Sequence, residues 1–469
     1  MSDKLFMIRI LLCGLLLCAL RAQAQDPGDA PKPAMAGDST SAVLQADRPK
    51  DIPDTRPLAG AQNLSLGSSA TSHSFLLPSF GVTTQVQLNP YSSSQANSPS
   101  LISTTYLSGR LGVNKISGRS ELLVDYIAGG GFSSDSNQGS SIIQSLDFAE
   151  TVRWGRWSPM FGDQFTYLPA SSFGFGGLGG LDNLGVNLGS VGSTPGFRQD
   201  ILPNQSIMTN GARRIGNAII SQTSYALGYR SSLTFGGSYE VLHFIDGGFQ
   251  DSSSASFSGG YNYLLSALNS MSISYRFSRL MLSNLPQGSD DHTVQLFFAR
   301  RITERLSFQI GAGPDVQIYR LPVAGPGTVV GWVLSSALNY KFRRVGARFN
   351  YSHSLTGGSG VLRGAETDMF SGHLNRAFGN WEGSVSAGYS RNRALEQTTV
   401  NANAITPQGW FATAQASRHF VRYGSLFVAY NVSGQSSLAA VCTLPACRTS
   451  TPQTVSIGYN WGFRPVILE

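Results

Sequence analysis

The most constraining feature of this chain is a hydrophobic period of two that recurs in segment after segment from about Thr71 to Phe463. In "SMSISYRFSRLML", Ser270–Leu282, residues Met271, Ile273, Tyr275 and Phe277 alternate with Ser272, Ser274, Arg276 and Ser278. Successive strand side chains point to opposite faces, so such a segment carries one apolar face and one polar, partly cationic face. In a soluble sandwich the apolar face would be buried in a core and the polar face wet. In a closed barrel crossing a membrane the apolar face meets lipid and the polar face lines a wet interior. One segment fits both arrangements, and the rest of the chain has to separate them.

Segmentation by this period gives eighteen candidate strands, with sixteen as the alternative count. The first is Val82–Asn89, the sixth Ala218–Tyr229, the tenth Thr293–Arg301 and the last Thr454–Phe463. Most approach the ~9–11 residues that a tilted membrane strand needs. The links alternate in length. Tight turns such as "KISGRS", "WGRW", "ITER" and "AFGNW" are interleaved with longer links such as "SSDSNQGSS", "DGGFQDSSS" and "EQTTVNANAIT". Short turns on one rim and long loops on the other belong to a membrane barrel with periplasmic turns and extracellular loops. A soluble chain of this many strands would divide into domains joined by visible linkers, and none interrupts this meander.

The N-terminus carries a secretory address. Lys4 and Arg9 form a basic region, Ile10–Leu20 an apolar core, and "AQA" at Ala22–Ala24 a small-residue cleavage site. The expected organisation is a signal peptide over 1–24, a disordered periplasmic leader rich in Pro, Asp and Ser over 25–70, and an outer-membrane barrel over 71–469. Removing Lys4, Arg9, Arg21 and Asp3 takes 34 basic and 27 acidic residues to 31 and 26, a formal +5. That balance is mild and points to no nucleic-acid partner. Charged residues make up 13% of the chain, against about 25% for soluble domains.

The even meander, signal peptide, alternating link lengths and aromatic-rich last strand resemble the porin-like outer-membrane β-barrel proteins of diderm bacteria. The resemblance is one of architecture. It implies an all-β, antiparallel, up-and-down barrel in the bacterial outer membrane. It further implies a channel for passive or mildly selective diffusion of small solutes or ions, with outer-membrane lipid and the barrel-assembly machinery as partners and homo-oligomerisation as an open question. The alternative is a closed barrel serving as surface scaffold, adhesin or assembly partner. One departure stands out: such barrels usually finish on an aromatic residue, whereas Phe463 is followed by "RPVILE".

Several residues are candidates for function. By alternation Arg110, Arg276 and Arg348 point inward with Glu240 and Glu382, and charges lining a pore bias which ions pass; the three arginines suggest a mild anion preference. For any one of them the plainer reading is a hydrogen-bonded ladder in the wall. The longest link, 169–217, is the third long loop. In many porins, the resemblance suggests, that loop folds inward, making Phe173, Phe175, Asp182, Arg198, Asp200, Arg213 and Arg214 constriction candidates; the plainer reading is an extracellular lid. Within it Gly174, Gly176 and Gly179 match G-x-G-x-x-G, yet no helical period follows, so a dinucleotide site is not implied. Cys442 and Cys447 remain after signal cleavage, and in an exported protein such a close pair most simply forms a disulfide pinning a loop. A metal or redox site would need further ligands or a two-residue spacing.

The six histidines are scattered, Ser352 and His353 face opposite ways in a strand, and no catalytic signature appears. No enzyme activity, cofactor or metal is expected. Basic residues crowding the short turns, among them Arg119, Arg153, Arg156 and Arg344, are expected to meet lipid head groups.

Overall fold

The computed structural model describes residues 74–88, 101–134, 140–168, 213–245, 250–283, 288–320, 327–342, 344–356, 365–394, 406–421, 424–436 and 451–468. The strands are β1 (Phe75–Leu88), β2 (Leu101–Ser117), β3 (Ser120–Ser133), β4 (Ser140–Val152), β5 (Trp157–Leu168) and β6 (Arg214–Ala226). They continue with β7 (Ser231–Phe244), β8 (Ser252–Leu264), β9 (Asn269–Leu282), β10 (Gly288–Arg301), β11 (Leu306–Arg320) and β12 (Thr328–Phe342). The last are β13 (Val345–Thr356), β14 (Ala365–Phe378), β15 (Trp381–Ala394), β16 (Gln408–Val421), β17 (Gly424–Gln435), β18 (Gln453–Gly462) and the two-residue β19 (Val466–Ile467).

Each of the strands β1 to β18 pairs antiparallel with its neighbours in sequence, and β1 closes the sheet on β18. The result is an up-and-down barrel of eighteen strands, the architecture of porin-like outer-membrane barrels. Strand for strand it matches the period-two segmentation, though the ends move. β1 starts at Phe75, well before Val82, and β10 starts at Gly288, so Asp290 and Asp291 lie in a strand.

The distribution of side chains is inverted relative to a soluble protein. On β9 Ile273 is 50% exposed, while its neighbour Ser272 is 3% exposed. Asn114, Gln164, Thr293, Asp315 and Asn392 are among the most buried side chains, whereas Val330, Trp332, Phe257 and Val385 stand exposed. A hydrophobic exterior enclosing a polar interior is the membrane-barrel solution.

Cross-strand bonds satisfy several of the inward polar groups. Thr367 Oγ1 donates to Asn392 Oδ1 at 2.9 Å, Thr413 Oγ1 to Asn431 Oδ1 at 3.1 Å, and the Ser238 and Ser256 hydroxyls lie 2.7 Å apart. All three are direct register partners. Such bonds replace the water that each group loses on burial.

The two rims differ. At the short-turn rim, Gly155 and Gly379 adopt φ of 59°, which lets the chain reverse between Trp154 and Trp157 and between Phe378 and Trp381. Outward aromatic residues gather here with arginines laid on their faces. Arg305 lies 4.0 Å from the Phe342 ring centre, Arg376 4.4 Å from Phe378, and Arg418 5.2 Å from Trp381. Trp157 packs on Tyr225 at 4.6 Å. This is the amphipathic girdle expected where hydrocarbon meets head groups.

The C-terminal tail joins the seam. β18 ends at Gly462, one residue short of the expected Phe463. The Phe463 N–H donates to the Pro78 carbonyl at 3.0 Å, and β19 then pairs with Phe75 and Leu76. The residues after Phe463 therefore continue the closure of the barrel along β1.

Candidate functional site: the charged inner wall

Strand register carries the inward ionisable residues into cross-strand rows. In the first, Arg110 on β2 forms a two-pronged pair with Asp125 on β3. Its Nε donates to Oδ1 at 2.7 Å and its Nη2 to Oδ2. Asp125 stands directly opposite Asp147 on β4, which in turn stands opposite Gln164 on β5. One guanidinium thus serves a stretch of wall holding two carboxylates. A planar fork matched to a carboxylate is the strongest geometry available to such a pair.

A second group lies nearer the long-loop rim, on β9, β10 and β11. Arg276, Thr293 and Asp315 are consecutive register partners. Thr293 Oγ1 sits 2.9 Å from Asp315 Oδ1 and 3.2 Å from Asp291 Oδ2, and Arg276 Nη2 is 3.8 Å from that same Asp291 oxygen. Glu240 on β7 faces the same side and is within electrostatic reach of Arg276.

A third row runs Asn339, Arg348, His373, Ser386 across β12 to β15, each opposite the next. Arg348 Nε donates to Asn339 Oδ1 at 2.9 Å, and His373 Nδ1 is 2.8 Å from Ser386 Oγ. A Ser–His contact invites comparison with a nucleophile and its base. Here the register partner of the imidazole is an arginine, whose charge opposes the imidazolium a general base must become. His353, beside Ser352 in sequence, points outward and bonds Asp368 at 2.8 Å.

The five inward candidates thus take different places. Arg110 is engaged by Asp125, Arg276 lies beside Asp291, and Arg348 bonds Asn339. Glu240 is more enclosed, and Glu382 stands exposed near the short-turn rim. Of the loop candidates, Phe173, Phe175, Asp182, Arg198 and Asp200 lie outside the described residues, as do Cys442, Cys447, the signal segment and the leader. Arg213 immediately precedes β6. Arg214 corrects the expectation of a loop residue: it is the first residue of β6, buried on the inner face opposite Leu168 and Phe244.

Sequence alternation names Glu240 and Glu382 but not the aspartates of the wall. The period of two becomes legible only from Thr293, which leaves Asp291 in the preceding link, whereas β10 begins at Gly288. Asp125, Asp147 and Asp315 gain their meaning from partners on adjacent strands, which periodicity alone does not name.

No protein-family model matches the chain, and no curated protein matches it. Among solved structures, Pseudomonas aeruginosa OccK2 (OpdF) in complex with glucuronate aligns over 83% of this chain and 98% of its own, at 9% identity and a TM-score of 0.43. Pseudomonas aeruginosa OccK5 (OpdH) aligns over 84% and 99% at 12% identity and TM-score 0.42. The outer membrane protein opdK from the same organism aligns over 83% and 99% at 8% and 0.42. At these values the likeness assigns no function, and the barrel is established by its own strand pairing.

Proposed function

We propose that this barrel is an outer-membrane channel through which small solutes or ions diffuse. The observation that carries the reading is the closure of eighteen strands around a polar, ionisable inner wall beneath an apolar exterior. Barrels of about 16–18 strands are wide enough to leave an aqueous passage. With an even number of strands, β1 begins and β18 ends at the short-turn rim, the side from which an exported chain would arrive.

Selectivity is expected to be weak. The three inward arginines favour anions, but Asp125, Asp147, Asp291 and Asp315 share their wall and offset that field. The link between Leu168 and Arg214 is proposed as a constriction. Its support is its length and the inward Arg214 at its return to the wall.

Planar-bilayer recording of the full chain tests the proposal. Discrete conductance steps with a cation-to-anion permeability ratio near unity are expected, and deletion of 176–192 should enlarge them. A wild type that inserts yet stays silent would favour the closed scaffold. Unchanged conductance in the deletion would leave a channel whose long link is a lid.

A further inference from the structure

The outer face should be apolar, yet near the long-loop rim it carries a cationic clamp. Arg279 on β9, Asp290 on β10 and Arg320 on β11 all lie on the lipid-facing parity of their strands, since Ile273, Val294 and Ile318 on the same faces are exposed. Arg279 Nε donates to Asp290 Oδ1 at 2.8 Å and its Nη2 to Oδ2 at 3.3 Å. Arg320 closes from the other side, with Nε 3.1 Å and Nη2 2.7 Å from Asp290 Oδ2. Two guanidiniums bracket one carboxylate, which leaves a net positive charge. Each guanidinium carries five N–H donors and commits only two to Asp290. The two side chains remain 39% and 44% exposed. Asp290 thereby holds both forks in place while much of their donor capacity faces outward.

Below the clamp the surface changes by steps. Arg279 sits 5.7 Å from the Phe277 ring centre, His292 packs 5.1 Å from Phe277, and His292 Nδ1 meets Tyr275 Oη at 2.8 Å. Beneath this aromatic shelf lies the apolar belt containing Ile273 and Leu296. A fixed pair of forks above an aromatic shelf above hydrocarbon-facing side chains follows the order of an anionic head group, its backbone and its acyl chains.

Among the described residues, a second charged group on this rim lacks that surplus. Glu366 and Asp368 stand in register opposite Arg393 and Arg391, two carboxylates against two guanidiniums, with the His353 ring between the carboxylates. Also near the clamp on the outer face, His243 and Asp251 pair with each other at 2.6 Å.

We infer that the Arg279–Asp290–Arg320 clamp binds the phosphate head group of a membrane lipid in the leaflet at the long-loop rim. The inference rests on the reading of the barrel as embedded in a membrane, and it is independent of conduction because all three residues lie outside the pore. Forked guanidiniums match phosphate oxygens in the way they match carboxylates.

The test uses the full chain, stripped of lipid in detergent and offered dioleoyl phosphatidic acid or dioleoyl phosphatidylcholine at equal concentration, with retention read by native mass spectrometry. Wild type should retain phosphatidic acid about tenfold better, a modest preference for a charge-assisted site. Arg320→Gln, which leaves a neutral Arg279–Asp290 pair, should fall to parity, and Arg320→Lys should keep part of the preference. Equal retention of the two lipids by wild type, or an undiminished preference in Arg320→Gln, overturns the inference. Displacement of the lipid by inorganic phosphate at the same concentration also overturns it, since that marks a free-anion site. Should Arg320→Gln fail to fold, the wild-type preference and the phosphate competition decide. Single-channel conductance of Arg320→Gln should equal wild type, so a silent wild type would count against the channel and equal lipid retention against the clamp.

Discussion

Phe427 on β17 lies across Gly458, its direct partner on β18, and a Cβ added at Gly458 would run into the Phe427 ring and Thr83 Oγ1. The same pairing of an inward aromatic with a facing glycine recurs at Phe297–Gly311, Phe411–Gly388 and Tyr106–Gly131. The glycine removes the side chain that would otherwise prop the ring upright, so the aromatic spreads along the wall instead of standing in the passage. Gly458→Ala should therefore cost about 1–3 kcal/mol, the usual range for overpacking. Gly109→Ala, with nothing within 4 Å of its Cβ, should cost far less. Urea titration of both refolded variants, followed by heat-modifiable gel mobility, makes the comparison; equal midpoints would show that the ring yields freely.

The two faces of β9 should respond oppositely to charge. Ile273→Arg places a guanidinium against hydrocarbon, at a cost of about 2–4 kcal/mol near mid-membrane. Ser274→Arg enters the wet interior and should fold normally while altering conductance. Refolding yield and bilayer recordings of the pair test this, and equal tolerance of both would contradict the inside–outside assignment.

The Arg110–Asp125–Asp147 row should tune which ions pass. Arg110→Gln leaves both carboxylates without that guanidinium and should shift reversal potentials toward cation preference. Asp125→Asn should shift them toward anions. Both shifts should shrink in high salt, where screening shortens the reach of the field. Reversal potentials under a salt gradient report the sign, and two shifts of the same sign would mean that ions do not sense this row.

Cys442 and Cys447 follow a compartment argument. An exported chain with two nearby cysteines should isolate with the pair oxidised. Peptide mapping without reductant should find the linked fragments, whereas labelling of both by a thiol reagent in unreduced protein would refute the bond.

Much of the fold was legible because the constraint that shapes it is local. Alternation of side-chain direction belongs to each strand alone, so Ile273 against Ser274, or Val345 and Phe349 against Arg348, declare their faces without knowledge of any partner. Link lengths then order the strands, since a short turn admits only a neighbour. Even the eighteen-strand count follows, as each strand pairs with its neighbours in sequence.

What needed the tertiary structure was register and closure. A period of two is unchanged by sliding one strand two residues past the next, so it cannot say that Asp125 meets Asp147, that Thr293 falls between Asp291 and Asp315, or that Arg279 and Arg320 converge on Asp290. Nor does it show that the residues after Phe463 return along Phe75 and Leu76. The sequence determined which side of the wall each residue occupies, because that depends on parity within one strand. Which residues meet across the wall depends on hydrogen-bonded alignment between strands, and that only the closed barrel decided.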